Sequence, residues 1–389
     1  MEERCGNTRQ IIVAKHTEKE YKSILNVRKA ADNWFWNRYG INPYNGCEFN
    51  CIYCDSRSSK YHLPEDFENA IYVKKNAALL LDKRLSKARR LKPDIIGVGG
   101  TCDPYQQAEK DYKTTQSLLK VILKYRFPVQ VVSKSNLIIR DMDLLQKIKE
   151  ESGYCNVSLS ITTTDDELSQ KIEPSASLSS ERFQCIQTIK QNSSIQCGIL
   201  FMPALPGISD SNQDMELMVA SAKEANADYI LFGGLTLRDK QAKRYFREIK
   251  TIHGDIPVIY HKIYGFSDKN QTYKGSYTAN MEYHAEKNSY FIDLCKKYKM
   301  AYRIKRFIPN DFRKTNYKIS ERFLNNAYFL QMINKPYKDL QYAGFTIQEL
   351  PKAIEYLTIP EYNLLIEKFT EKAKKLCDKY LSEEKLLFY

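Results

Sequence analysis

The stretch NPYNGCEFNCIYCDSRS, residues 42–58, sets Cys47, Cys51 and Cys54 at the spacing C-x3-C-x2-C behind an Asn-Pro turn signal. Residues 39–44, just before the cysteines, read as a short strand, so the thiols fall on a loop at a strand's carboxyl end, where α/β folds place chemistry. Among Asn45, Glu48, Asn50 and Asp55, three cysteines are poorly used as packing. A structural zinc site wants four protein ligands, and the nearest further candidate, His62, lies across a Ser/Arg loop at an unusual spacing. An electron-transfer ferredoxin cluster also wants a fourth cysteine, and none is close in sequence. On a [4Fe–4S] cube, three thiolates leave one iron open to a small molecule bearing an amine and a carboxylate.

Working outward, the chain alternates. Short apolar runs at 95–99 (IIGVG), 129–133 (VQVVS), 157–161 (VSLSI), 197–202 (CGILFM) and 229–232 (YILF) read as strands. Between them lie helix-periodic segments: 109–125, with an apolar face of Leu118, Leu119, Ile122 and Leu123, then 143–151, 180–191, 212–225 and 240–250. Strands alternating with helices call for right-handed βαβ units and a parallel sheet. With the strand at 39–44 this makes about six units, which fit a partial (β/α)6 TIM-type barrel or a doubly wound sheet. Residues 1–38 form a lead-in anchored by Trp34, Phe35 and Trp36, and 39–265 form the α/β body. After a loop at 265–280, the remainder of 266–389 reads as a mainly helical C-terminal extension.

The 389 residues, 43% of them hydrophobic, suffice for a sizeable core. No run of about 20 apolar residues appears, and the opening MEERCGNTRQ lacks a secretory apolar stretch, so the expectation is a cytoplasmic protein without membrane contact. Apart from the cluster, the ten cysteines are scattered singly, as in a reducing compartment. Lys and Arg number 60 against 47 Asp and Glu, a net charge of +13 that favours a polyanionic partner. Residues 296–322 concentrate this: ten Lys/Arg stand against Asp311 and Glu321, interleaved with Tyr298, Tyr302, Phe307, Phe312 and Tyr317. Such a tract suits phosphates and stacked bases, or it is a solvated face whose aromatics are core.

The cysteine spacing resembles the signature of the radical S-adenosylmethionine (SAM) superfamily. That resemblance implies a partial barrel, a [4Fe–4S] cluster held by Cys47, Cys51 and Cys54, and SAM bound on the open iron. It further implies a flavodoxin- or ferredoxin-type electron donor. The blocks GGTCDPYQQAEKDY (99–112), VVSKSN (131–136), VSLSITT (157–163), IEPSASLSSER (172–182) and MPALPGISD (202–210) are similar to the spore photoproduct lyase-related, DNA repair photolyase-like branch. The similarity runs over about residues 34–265 and leaves the extension unassigned.

The resemblance places Tyr53 near the adenine, and Lys134 and Ser160 at the methionyl end. Asp103 would accept from a ribose hydroxyl or the amino group, in a loop that Gly99 and Gly100 open to the ligand. Cys102 is the candidate hydrogen donor; the branch's donor position falls on Gly100, and Cys102 falls where the branch has a cofactor-touching serine. Ordinary alternatives are a turn lysine at 134, an Asp-Pro turn at 103 and an inert thiol at 102. Isolated His253, His261 and His284 read as structural or exposed. The activity implied is reductive cleavage of SAM and hydrogen abstraction from a substrate, foremost a nucleic acid in lesion repair or base modification. The alternatives are a peptide or small metabolite as substrate, or a non-catalytic Fe–S or zinc module that binds nucleic acid.

Overall fold

The computed structural model describes residues 14–63, 66–87, 91–254, 258–266 and 275–383. The opening decapeptide with Cys5, and residues 267–274 of the loop read at 265–280, lie outside the described residues.

The strands are β1 (Lys15–Lys19), β2 (Asn26–Val27), β3 (Tyr39–Ile41), β4 (Tyr44–Asn45), β5 (Ala70–Lys74), β6 (Ile96–Val98), β7 (Val129–Ser133), β8 (Cys155–Ser160), β9 (Gln196–Ala204) and β10 (Ile230–Gly234). In the larger sheet β3, β6, β7, β8, β9 and β10 pair in parallel in chain order, with β2 antiparallel on β3. The order never reverses, so the sheet lacks the switch point of a doubly wound fold, and the partial (β/α)6 barrel is the architecture. Helices α1 (Ala77–Ser86), α2 (Ala108–Tyr112), α3 (Thr114–Lys124), α4 (Met142–Ser152), α5 (Asp166–Ile172), α6 (Ser179–Asn192), α7 (Asn212–Glu224) and α8 (Asp239–His253) link or follow these strands. The segment 109–125, read as one helix, breaks at Lys113, whose φ of 50° is left-handed.

The strand expected at 39–44 is likewise two. Pro43 has no N–H for a ladder, and the chain leaves the large sheet after Ile41. Tyr44 and Asn45 then pair antiparallel with β5 in a separate sheet of order β1-β5-β4. That sheet also takes β1 from the lead-in, where Lys-rich sequence left no periodic signal. Gly46 turns the chain from β4 into the cysteine loop at φ +90°, and a Cβ there would sit 2.6 Å from the Ala70 carbonyl oxygen.

Alternation sorts the barrel strands. Val129, Val131, Val157, Leu159, Ile199 and Phe201 face outward into the core shared with the helices. Inward positions are small or polar. Gln130, Asn156, Ser158 and Tyr229 form a hydrogen-bonded floor, with Gln130 Nε2 donating to Ser158 Oγ at 2.8 Å and Asn156 Nδ2 to the Tyr229 hydroxyl at 2.9 Å. The Tyr229 ring fills the space that Gly198 leaves, 2.6 Å from where a Cβ would stand. Above the floor, Val132 and Met202 stay partly exposed although β7 and β9 are interior strands, so the barrel is open at its carboxyl end.

After α9 (Ile259–Tyr264), which packs on α8, the C-terminal part holds α10 (Met281–Lys297), α11 (Lys314–Met332), α12 (Lys338–Gln348), α13 (Ile359–Ile366) and α14 (Glu371–Glu383). Between α10 and α11 the chain crosses the amino ends of the barrel strands. Ala301 O accepts from Ile230 N at 2.9 Å, Ile304 O from Trp36 Nε1 at 2.9 Å, and Tyr317 donates to Asp94 at 2.6 Å. No described helix is long and apolar enough to cross a membrane.

Candidate active site

The cysteine loop is a polar scaffold with its thiols turned inward. Cys47 N bonds Phe67 O at 3.0 Å and Ile52 N bonds Ile172 O at 3.0 Å, fixing both arms of the loop. The buried Arg57 donates to Glu68 at 2.6 Å and to Asn50 at 2.8 Å, and Arg244 of α8 reaches the same two partners at 2.9 and 2.6 Å. Glu48 accepts from Ala108 N at 2.8 Å, while its own N–H donates to Gln106 at 2.9 Å. The polar residues around the cysteines therefore clamp the loop, which a buried segment needs because its backbone groups must find partners.

Cys47 and Cys51 are buried and Cys54 is half-buried, all three as free thiols. Burial pushes the Cys51 thiol up to about 12 against the pull of Lys134, and burial also raises Cys47, with Asp103, Cys51 and Cys54 beside it. A dry thiol set of this kind favours ligation by a cation that takes the proton's place. Among the described residues no three His, Cys, Asp or Glu side chains converge as ligands of a single ion would. His62, the fourth ligand a zinc site would want, is exposed. Three free thiols on one short loop, two of them buried, are the donor type that an iron–sulfur cube takes.

Beside the thiols lies a buried network that the sequence reading missed. The Tyr53 hydroxyl bonds Glu173 and stands 3.0 Å from Thr162 Oγ1. Glu173 pairs with Arg182, and Arg182 donates to the Ser160 carbonyl at 2.6 Å and the Ser177 carbonyl at 2.8 Å. Burial pushes Glu173 up, but Arg182 and Lys134 outweigh it and hold the carboxyl below its usual range. The Lys134 ammonium lies 5.7 Å from the Tyr53 ring centroid, just past β7. Glu173 and Arg182 are nine residues apart within the block 172–182, a spacing that carries no motif.

Asp103 is more tied than expected. Its carboxylate accepts from Ser133 Oγ at 2.8 Å, Lys134 N at 2.7 Å and Tyr105 N at 2.9 Å, so its first task is to fasten the β6 loop to β7. Asp103 also stands beside the Cys47 thiol. Gly99 takes a left-handed φ of 87°, and at the exposed Gly100 a Cβ would find only Asn42 Oδ1, at 3.7 Å. Cys102 Sγ donates to the Tyr44 carbonyl at 3.1 Å, and burial pushes the thiol up to about 12 with Lys74 opposing. Ser160 faces inward at the top of β8, as the alternation around Leu159 requires.

The structure thus gathers Cys47, Cys51, Cys54, Tyr53, Gly100, Cys102, Asp103, Lys134 and Ser160 at the carboxyl end of the barrel. The tract 296–322 is not there. Arg306 stacks 4.0 Å from the Tyr317 ring centroid and 4.9 Å from that of Trp36, and Arg303 lies 4.7 Å from Trp36 and 4.2 Å from Tyr328. Arg313 donates to Pro93 O at 3.0 Å. These three arginines and the aromatics close the barrel's amino end, away from the gathered residues, while Lys296, Lys297, Lys299, Lys305 and Lys314 of the same tract stay exposed. His253 and His261 are exposed, and His284 is half-buried, its basicity lowered by burial.

The family model for the radical SAM superfamily matches residues 41–222. An uncharacterized protein of Mycobacterium tuberculosis is 26% identical over 248 residues, covering 62% of this chain and 72% of that one. One of Methanocaldococcus jannaschii is 27% identical over 212 residues, covering 54% and 75%. Among solved structures, a spore photoproduct lyase variant aligns with a TM-score of 0.51 at 14% identity over 70% of this chain and 78% of its own. At that identity the likeness is one of fold.

Proposed function

The chain belongs to the radical SAM superfamily, and from that premise we propose that its substrate is a nucleic acid, attacked at the open carboxyl end of the barrel in lesion repair or base modification. It is a radical SAM enzyme whose cofactors are a [4Fe–4S] cluster and S-adenosylmethionine. When bound and reduced, these supply a 5′-deoxyadenosyl radical able to take hydrogen from a C–H bond.

The chain's own residues supply holding, orientation and exclusion. In this reading Cys47, Cys51 and Cys54 would hold the cluster, which would supply an open iron for the amine and carboxylate of SAM. Lys134 is the cation for that carboxylate, and the Tyr53 ring, pinned through its hydroxyl to Glu173, stands where an adenine packs. Asp103 keeps the loop bearing Cys102 against β7. The floor of Gln130, Asn156, Ser158 and Tyr229 seals the barrel from below, which keeps water and stray hydrogen donors from the radical. In this reading Cys102, next to Asp103 on the same loop, would be the thiol that returns a hydrogen atom. A base in a duplex would have to leave the stack to reach this depth.

The observation that carries the reading is a three-thiol loop and Lys134 set together at the open end of a barrel with a closed floor. Net charge of +13 and the sequence blocks shared with the spore photoproduct lyase-related branch support the nucleic acid. A flavodoxin or ferredoxin is the electron donor in this reading, and nine free described cysteines suit a reducing cytoplasm. A peptide or small metabolite is the second reading, favoured by the placement of 296–322 away from the mouth. Anaerobic turnover on damaged and undamaged oligonucleotides, read by mass spectrometry, tests the choice. A changed nucleotide supports the proposal; no change in any nucleic acid, with SAM still cleaved, points to the second reading.

A further inference from the structure

The three-stranded sheet has two unlike faces. Tyr44, Ile71 and Val73 are buried in the core that also holds Cys47, Phe49 and Cys102. On the other face the register sets Asn45 beside Tyr72 and Tyr72 beside Thr17, with Lys74 beside Lys19 and Ala70 beside Lys15. No strand position on this face carries an acid, and among the described residues Lys15, Lys19 and Lys74 have no carboxylate partner. Lys19 and Lys74 instead lie over tyrosines, at 3.4 Å from the Tyr72 centroid and 5.0 Å from that of Tyr21. Tyr21 is held in place from both sides, its N–H donating to Asn76 at 3.0 Å and its hydroxyl accepting from Asn45 at 3.1 Å.

We propose that this lysine–tyrosine face is the surface on which a single nucleic-acid strand docks, with Lys74 delivering the strand to the lip of the site beside Cys102. The inference deepens the nucleic-acid reading and rests on it. Lys74 joins the two regions through the backbone: its N–H bonds Pro43 O at 3.3 Å, and the residue after Pro43, Tyr44, accepts from Cys102 Sγ at 3.1 Å through its carbonyl. Burial lowers the basicity of Lys74, and with no carboxylate to compensate, a phosphate arriving there finds a desolvated cation. Lys15 to Lys19 spans roughly 13 Å of strand, enough to meet several phosphates of a chain carrying one charge per about 3.4 Å. Half-exposed Tyr21 and Tyr72 offer aromatic surface between the cations, the combination that sequence-tolerant strand binding uses. An acidic peptide would use the charge and leave the rings idle, which is why the nucleic acid is favoured.

The test is fluorescence anisotropy of a labelled single-stranded oligonucleotide with anaerobically reconstituted holoprotein, from about 50 to 200 mM salt. Three proteins are compared: the parent, K15S/K19S/K74S, and K305S/K314S, which alters exposed lysines of the amino-end tract. Circular dichroism and cluster absorbance check that each is folded and loaded. The triple variant is expected to bind about tenfold or more weakly, its log–log salt slope falling by about 2, near 0.7 per lysine, while K305S/K314S matches the parent. Parent-like affinity and slope in the triple variant overturn this docking face and leave the nucleic-acid reading standing. No oligonucleotide binding by the parent at low salt overturns both. Displacement of the oligonucleotide by polyglutamate at equal charge concentration also overturns it, in favour of an acidic protein.

Discussion

Glu173 and Arg182 form an ion pair that water does not reach, their side chains 1% and 0% exposed, and Tyr53 hangs its hydroxyl on the same carboxylate. The aromatic between the second and third cysteines is thus oriented by a charge pair more than a hundred residues further along the chain. Removing one member of such a pair leaves its partner charged and dry. Glu173→Ala is expected to cost about 3–5 kcal/mol in a urea melt, whereas a Glu173→Met/Arg182→Met double variant costs less than the sum of the singles. Glu173→Gln keeps the shape and one acceptor oxygen but loses the charge and sets an NH2 against either Arg182 or the Tyr53 hydroxyl, so it should still weaken SAM binding measured by calorimetry on reconstituted protein. Unchanged SAM affinity would remove the orienting role.

At the barrel's amino end, Arg306 reaches Ser320 at 3.1 Å and Gln348 while lying between Trp36 and Tyr317. Arg306→Ala is expected to lose about 2–4 kcal/mol through stranded partners and lost stacking. Oligonucleotide affinity measured well below the melting temperature should not move. A variant that stays stable but loses nucleic-acid binding would return the tract 296–322 to the interface.

Gly97 faces the barrel interior, and a Cβ there would stand 2.4 Å from Asn37 Nδ2. Asn37 is buried, with its Oδ1 unpartnered. Gly97→Ala should cost about 1–3 kcal/mol by overpacking. Adding Asn37→Ala should recover part of that loss, a coupling that a double-mutant cycle in chemical denaturation reads directly.

His284 packs against Gly234, with Asp210, Tyr283 and Lys287 around it, and burial holds its pKa below the ordinary 6.5. The unfolded chain therefore takes up this proton at a higher pH than the folded one. Above about pH 6.5 His284 is neutral in both states and contributes no slope; as pH falls below that value the folded state loses ground, until the folded histidine also protonates. The stability difference between parent and His284→Gln should shift against the parent between pH 7.5 and pH 5, followed by thermal melts. A parallel pH course for the two proteins would show that the site is not desolvated.

Much of this was legible in the sequence because it repeats at a fixed period. Val129, Val131, Val157 and Leu159 announce buried parallel strands, and Cys47, Cys51 and Cys54 stand within one loop. What escaped depends on contacts between distant residues. Glu173 and Arg182 look like ordinary surface charges until the fold buries them. Tyr44 and Asn45 look like a continuation of Tyr39–Ile41 until Pro43 sends them to another sheet. Within 296–322, spacing alone could not tell the stacked, buried Arg306 from exposed lysines such as Lys305 and Lys314.

Cleavage of SAM by a cube held on three thiols is the claim on which the rest depends. The measurement is 5′-deoxyadenosine formed by anaerobically reconstituted protein with dithionite and SAM, beside iron and sulfide content, in the parent and in Cys51→Ala. The account predicts about four irons and four sulfides per parent chain with 5′-deoxyadenosine formed, and neither full cluster nor product in Cys51→Ala. A parent chain that carries the full cluster yet forms no 5′-deoxyadenosine, or a Cys51→Ala protein that forms it at the parent's rate, would contradict it.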